Sequence, residues 1–530
     1  MMRKNIKYLA ILALGFVACE PEFDNPIEES GVYTNGEADF STYVALGNSL
    51  TAGFADGALY ITGQENSYPN IISQQFKSAG GGDFIQPLMA DNTGGALLGG
   101  TQILDNRFVL AFDDKGAPIG PDIYTGAAPT TEISTNLGSS FNNMGIPGAK
   151  SFHLAAPEYG NVAGVQPGLA NPYYVRFASS TTSTVIQDAV AQDPTFFSLW
   201  IGNNDILSYA TSGGVGVDQN EVPNLDPSTY GSTDITNTTV FAGVYSQLLD
   251  ALTANGAKGV VLSLPSVTSI PFFTTVPHAP LNPADESFGP QIPTLNATYA
   301  GLNLAFEALG VPERAIQFST TSASAVVIKD ESLTDITDGL ALALAGTFGP
   351  LAPVVAAQFG QARQATANDL LVLTSSSVIG KLDTDRLAEL MGLGLSQEQA
   401  GQFSVKGVSL PLEDQYVLIP AEQTAIENAR NGFNATISAL AAANGLAFYD
   451  AAADLAQAAN GGIPLQGGEI VTSQFITGGG FSLDGVHPTP RAQAIIANGI
   501  LDAVKKTYGA NLPKVNPVDY GTVTLSNNIN

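Results

Sequence analysis

Cysteine occurs once in 530 residues, histidine three times and tryptophan once. A lone thiol, Cys19, excludes an internal disulfide, and three histidines far apart in sequence leave a zinc site short of ligands. Cations are also scarce, 20 Lys and Arg against 48 Asp and Glu, and the formal charge of −28 argues against nucleic acid as a partner. Only 13% of residues are charged, so the surface is expected to be polar and mildly acidic. No phosphate-cradling glycine loop precedes a Lys-Ser/Thr pair, and Asp383-Thr384-Asp385 does not continue into a calcium loop. Neither a metal nor a cofactor is expected. What is abundant is apolar: 44% hydrophobic content supports a large core, and no internal repeat divides the chain.

The first 18 residues combine a basic start (Arg3, Lys4, Lys7), an apolar stretch from Tyr8 to Val17, and Ala18 before Cys19. Roughly ten apolar residues are too few to cross a bilayer, which takes about 20, so residues 1–18 are expected to be an export signal. Phe16-Val17-Ala18-Cys19 resembles the lipobox of bacterial lipoproteins, with Phe in place of the usual Leu. That resemblance implies cleavage before Cys19 and acylation of its thiol and new amine. Residues 19–38 are acidic and then Gly-rich, as a flexible tether would be, and they resemble the surface-export signals of Bacteroidetes lipoproteins. The expected location is the cell envelope, lipid-anchored to the outer membrane on its periplasmic or cell-surface face.

From residue 39 to 530, strand candidates alternate with helical segments, the pattern of a parallel sheet covered on both faces. Strands are expected over Thr42 to Leu46, Phe141 to Met144, Phe196 to Ile201, Gly259 to Leu264 and Leu446 to Asp450. Helices are expected from Val240 to Asn255, from Pro420 to Gly445, and from Pro490 to about Tyr508, the last ending on Lys505 and Lys506 where cations suit the dipole. Two stretches break the alternation and are expected to be insertions, about 57–140 and 265–416. The first contains a predicted hairpin from Arg107 to Ile119, turning at Asp113-Asp114-Lys115-Gly116. Within the second, Gly339 to Gly360 has no charge, but Gly346, Gly349, Pro350 and Pro353 interrupt it. A buried helical pair or a lid is expected there, not a span.

Chemistry enters at Gly47-Asn48-Ser49-Leu50, where a serine stands between an apolar strand and a helix. A serine hydroxyl needs a base and oxyanion donors before it can attack a carbonyl. Asp484-Gly485-Val486-His487-Pro488 offers the base, because a three-residue separation puts a carboxylate beside an imidazole on one turn. The remaining histidines, His153 and His278, lack such a neighbour and are read as structural. Ser49 has no Gly-x-Ser-x-Gly elbow around it.

These blocks, with Asn143-Met144-Gly145-Ile146-Pro147-Gly148-Ala149 and Gly202-Asn203-Asn204-Asp205, resemble in order the SGNH, or GDSL-like, hydrolases. That family comprises esterases, lipases and deacetylases, and the resemblance implies an α/β fold, a three-layer α/β/α flavodoxin-like sandwich with a parallel sheet, here carrying large insertions. It implies a Ser49–His487–Asp484 triad and an oxyanion site made by the N–H groups of Ser49 and Gly148 with the Asn204 side chain. Gly145 is the alternative to Gly148. Asn48 stands where the family has Asp, which is expected to weaken hydrogen bonding near the serine without changing the mechanism.

The implied activity is cleavage of a carboxylic ester, from a lipid or an acylated glycan, by a monomer. Acyl transfer to a glycan, and a non-catalytic surface lipoprotein that binds glycan or lipid, are the alternatives. The uncharged Ala/Leu-rich insertion could wall an acyl chain, with ordinary core packing as the plainer expectation.

Overall fold

A computed structural model of the protein describes residues 33–112, 115, 118–523 and 529. The export signal, Cys19, most of the acidic tether, and most of the turn in the predicted hairpin lie outside the described residues.

Five short strands form one parallel sheet: β1 (Tyr43–Gly47), β2 (Asn143–Gly145), β3 (Phe196–Trp200), β4 (Lys258–Leu262) and β5 (Ala447–Tyr449). Their spatial order is 2-1-3-4-5. Register is set by Ala45 of β1, which lies opposite Asn143 on one side and Ser198 on the other. Every residue of β1, β2 and β3 is buried, as expected for strands covered on both faces. All five strands occur where the apolar runs predict them, with ends displaced by one or two residues. The start of β2 moves from Phe141 to Asn143, because Asn142 bonds to Ile85, in a loop of the first insertion, through both its side chain and its N–H.

Helices flank the sheet in two packed groups. In one, α1 (Tyr68–Phe76) lies against the C-terminal helix Pro490–Tyr508, whose left-handed cap at Gly509 ends it after Lys505 and Lys506. In the other, α2 (Asn204–Thr211) and α3 (Thr238–Thr253) pack on the 24-residue helix Pro420–Ala443, which buries Ile426, Ala429, Phe433 and Ile437. These are the spacings of three and four that the sequence displays.

The stretch 57–140 is not all insertion, because α1 lies within it and buries Tyr68, Ile71, Ile72 and Phe76 in the main core; the rest includes short antiparallel pairs, among them the hairpin Phe108–Phe112 with Pro118–Ile123. The second buries its own apolar cluster, separate from that around the sheet, with Ile292, Phe306, Phe318, Ile328 and Phe359 inside. Thr337–Phe359 is apolar and long enough to span a membrane by composition. It is nevertheless two helices, Thr337–Phe348 and Ala352–Phe359, broken at Gly349 and packed on each other. Leu340, Leu344, Val355 and Phe359 face the second core, so the segment is a helical pair as expected, but it is buried along that face only: Leu342 on the first helix is 81% exposed.

Candidate active site

Strand order places the site. β1 and β3 are neighbours, β2 lies beyond β1, and the order reverses about β1, where a crevice opens at the carboxyl ends of the strands. The loops leaving β1, β2 and β3 carry Ser49, Gly148 and Asn204, so three segments far apart in sequence converge at one edge.

Ser49 opens a one-turn helix, Ser49–Ala52, capped by the Asn48 side chain, which accepts from the Leu50 N–H at 3.0 Å. Across from it His487 Nε2 lies 2.8 Å from Ser49 Oγ, and His487 Nδ1 lies 2.8 Å from Asp484 Oδ2. Serine, imidazole and carboxylate therefore form an unbroken chain. Burial alone would raise the Asp484 carboxyl, but the charge of His487 and the hydrogen bonds it accepts outweigh that and hold it at about 2. It stays an anion, able to keep His487 Nδ1 protonated and Nε2 free to accept. The Phe54 ring flanks the imidazole at 4.7 Å between centroids.

No family model, no curated protein and no solved structure matches the chain.

The two glycines offered for the oxyanion are separated by their partners. The Gly145 N–H, inside β2, already donates to Asn143 Oδ1 at 3.0 Å. Gly148 sits at φ +82 on the exposed turn that follows, and its N–H has no partner among the described residues. Asn204 is buried at the start of α2, with one amide hydrogen on Ala149 O at 2.9 Å and the second without a partner among the described residues.

Asn48 corrects one expectation. An aspartate there could only accept, whereas the Asn48 amide keeps the cap on Leu50 and also donates to Asn203 Oδ1 at 3.3 Å. That amide bond joins the serine loop to the asparagine loop. His153 is structural, as read: its Nδ1 accepts from the Lys150 N–H, its ring stacks on Tyr159, and burial with the Lys150 charge lowers it to about 4.

Beside Ser49 and His487 opens a cleft of about 130 Å³ with an apolar lining, including Leu207, Val267, Ile270, Leu455, Ile463 and Ile496. No residue of Thr337–Phe359 lines it, so the uncharged insertion segment is not an acyl wall. Its lining comes from α2, the start of the second insertion, the region between β5 and the last helix, and the first turns of that helix.

Other contributors escaped the sequence reading. Asp205, fully buried, accepts from both the N–H and the hydroxyl of Ser151 at 2.8 and 2.7 Å, which ties the Asn204 loop to the Gly148 loop. Its place in the Gly-x-Asn-Asp block was the only local signal. Elsewhere Glu331, Asp414 and Glu422 bring carboxylate oxygens within 4.8 Å of one another. Nothing in their separate surroundings in sequence pointed to that meeting.

Proposed function

We propose that this protein is a serine hydrolase of carboxylic esters, built on the three-layer sandwich of the SGNH family. What carries the reading is the Ser49–His487–Asp484 chain, with both links at 2.8 Å. In the first step His487 Nε2 takes the Ser49 hydroxyl proton as Oγ attacks the ester carbonyl. The oxyanion is met by the N–H groups of Ser49 and Gly148 and by Asn204 Nδ2. Imidazolium then protonates the departing alcohol, leaving an acyl-Ser49 ester. Water, deprotonated by His487, attacks that ester and frees the acid and the serine.

The apolar cleft favours a fatty acyl group over acetyl, because an acetyl group would leave most of its lining uncovered. Each methylene buried there is worth about 0.8 kcal/mol, or roughly fourfold in kcat/KM per added carbon until the cleft is full. A Cys19 anchor, carried over from the sequence, would hold this cleft at an outer-membrane surface.

A chain-length series of p-nitrophenyl esters tests both parts, with fluorophosphonate labelling of wild type and Ser49→Ala. Labelling that depends on Ser49, with kcat/KM climbing from acetate towards longer chains, is the expected result. A flat or falling series would restore acetyl esters as the substrate. No labelling and no turnover would leave a binding protein on a hydrolase scaffold.

A further inference from the structure

Asp484 accepts five hydrogen bonds, and two of them come from outside its own Asp-to-His turn. Oδ1 receives the N–H groups of Val486 and His487 at 2.8 and 2.9 Å, and the Ser482 hydroxyl at 3.0 Å. Oδ2 receives His487 Nδ1 and, from the opposite end of the chain, the Gly57 N–H at 2.9 Å. Both carboxylate oxygens are therefore saturated, and the carboxylate cannot rotate without breaking several bonds.

Behind these donors lies a second buried carboxylate, Asp56, only 3% exposed. Its N–H donates to Ser482 Oγ at 2.9 Å, which leaves the Ser482 hydrogen to point at Asp484. Its Oδ1 accepts from the Leu483 N–H at 2.9 Å, and its Oδ2 from Tyr60 OH and Arg107. Asp56 and Gly57 both have left-handed backbones, φ +52 and +76. Successive residues of this kind aim their N–H groups in concert, one at Ser482 and the next at Asp484. Asp56 holds this conformation although it has a side chain, so the surroundings must compensate. Arg107, on the first insertion, supplies the counter-charge, with its guanidinium 3.7 Å above the Tyr60 ring centroid. Without that charge a second buried carboxylate beside Asp484 would repel it.

The second insertion presses on the same turn from elsewhere. The Phe272 N–H donates to Gly485 O at 2.9 Å, and a Cβ on Gly485 would come within 3.1 Å of Leu373 and of the Phe272 nitrogen.

We infer that Asp56, Arg107 and Ser482 are positioning residues for the triad acid, and that the first insertion serves the triad through the Arg107–Asp56 pair. The Arg107–Asp56 pair locks the loop that delivers the Gly57 N–H and the Ser482 hydroxyl, and these keep Asp484 Oδ2 on His487. This inference rests on the serine-hydrolase reading for its kinetic consequence but not for its geometry.

Ser482→Ala, Arg107→Met and Arg107→Lys test it. Rates are taken per active site counted by fluorophosphonate, so that misfolded protein does not enter. The downfield proton resonance of His487 Nδ1–H reports the bond to Asp484 directly. Ser482→Ala and Arg107→Met are expected to lower kcat per titrated site on the order of 10- to 100-fold with KM unchanged, and to move or broaden that resonance. Arg107→Lys, which keeps the charge, is expected to recover most of both. Wild-type kcat and an unmoved resonance in Ser482→Ala and Arg107→Met would overturn the inference. Should Arg107→Met fail to fold, Ser482→Ala decides alone, since it strands no charge. A wild type that neither labels nor turns over would defeat the hydrolase reading, while the resonance would still decide whether these residues hold Asp484.

Discussion

Asn204 Nδ2 donates to the Ala149 carbonyl at 2.9 Å, so the asparagine assigned to the oxyanion also holds the turn that presents Gly148. Two donors from different strands are thereby spaced by one hydrogen bond. A substitution at 204 therefore acts on both.

Asn204→Ala is expected to lower kcat roughly 100- to 1,000-fold while KM changes little. It leaves the buried Ala149 carbonyl short of a donor, so a stability loss of about 1 kcal/mol should accompany it. Steady-state kinetics and urea unfolding on the same preparation separate the two effects. Retained activity would remove Asn204 from the oxyanion site.

Gly148 and Gly145 should respond in opposite ways to alanine. A Cβ on Gly148 would meet only Asn171 Nδ2 at 3.9 Å, so the cost is that of the positive φ, about 1–2 kcal/mol. Gly148→Ala should fold and lose kcat. A Cβ on Gly145 would lie 2.4 Å from the Ala52 backbone nitrogen. Gly145→Ala should therefore yield little soluble protein, which expression and thermal unfolding will report.

Asn48→Ala removes the cap on the Ser49 helix and the link to Asn203, with an expected loss of about 1 kcal/mol or more. Asn48→Asp retains the cap and loses only the donor, so its kcat should lie closer to wild type than that of Asn48→Ala. The reverse order would mean that a carboxylate facing Asn203 Oδ1 costs more than the lost cap.

Stability should fall at both ends of the pH scale for different carboxyls. Asp484 is held below its ordinary 3.8, at about 2, so its contribution is present above about pH 4 and is lost as pH drops through 2. Asp414 is raised to about 6, first by burial and then by Glu331, and burial pushes Glu422 up as well, against the lowering effect of the Ile419 N–H. These acids keep protons in the folded chain that the unfolded chain releases, so they destabilise progressively as pH rises from about 4 through 6 and beyond. Glu422→Gln should raise Tm at pH 8 and leave it nearly unchanged at pH 4. An equal shift at both would discount the titration.

Much of the fold was legible because burial on both faces demands continuous apolar runs. Tyr43-Val44-Ala45-Leu46 and Phe196-Phe197-Ser198-Leu199-Trp200 could hardly be anything but central strands. The helix Pro490–Tyr508 was readable at both ends, since Pro490 at its start and Lys505 and Lys506 near its end are local signals. Gly148 could be preferred by its place in the block, but the distinction from Gly145 needed the Asn143 side chain, whose orientation no local pattern encodes.

By itself the sequence determined which side chains could do chemistry: a serine at a strand-to-helix turn, an Asp and His three residues apart, and asparagine and glycine after other strands. Such signals are local, fixed by spacing along one strand or one turn. Only the tertiary structure decided that Ser49 and His487, 438 residues apart, meet at 2.8 Å. It likewise decided that Gly57 and Asp56 reach Asp484 and its neighbours across 426 or 427 residues. Those contacts arise where two ends of the chain fold back on one sheet edge, and a hydrogen bond between them leaves no period or motif in either segment.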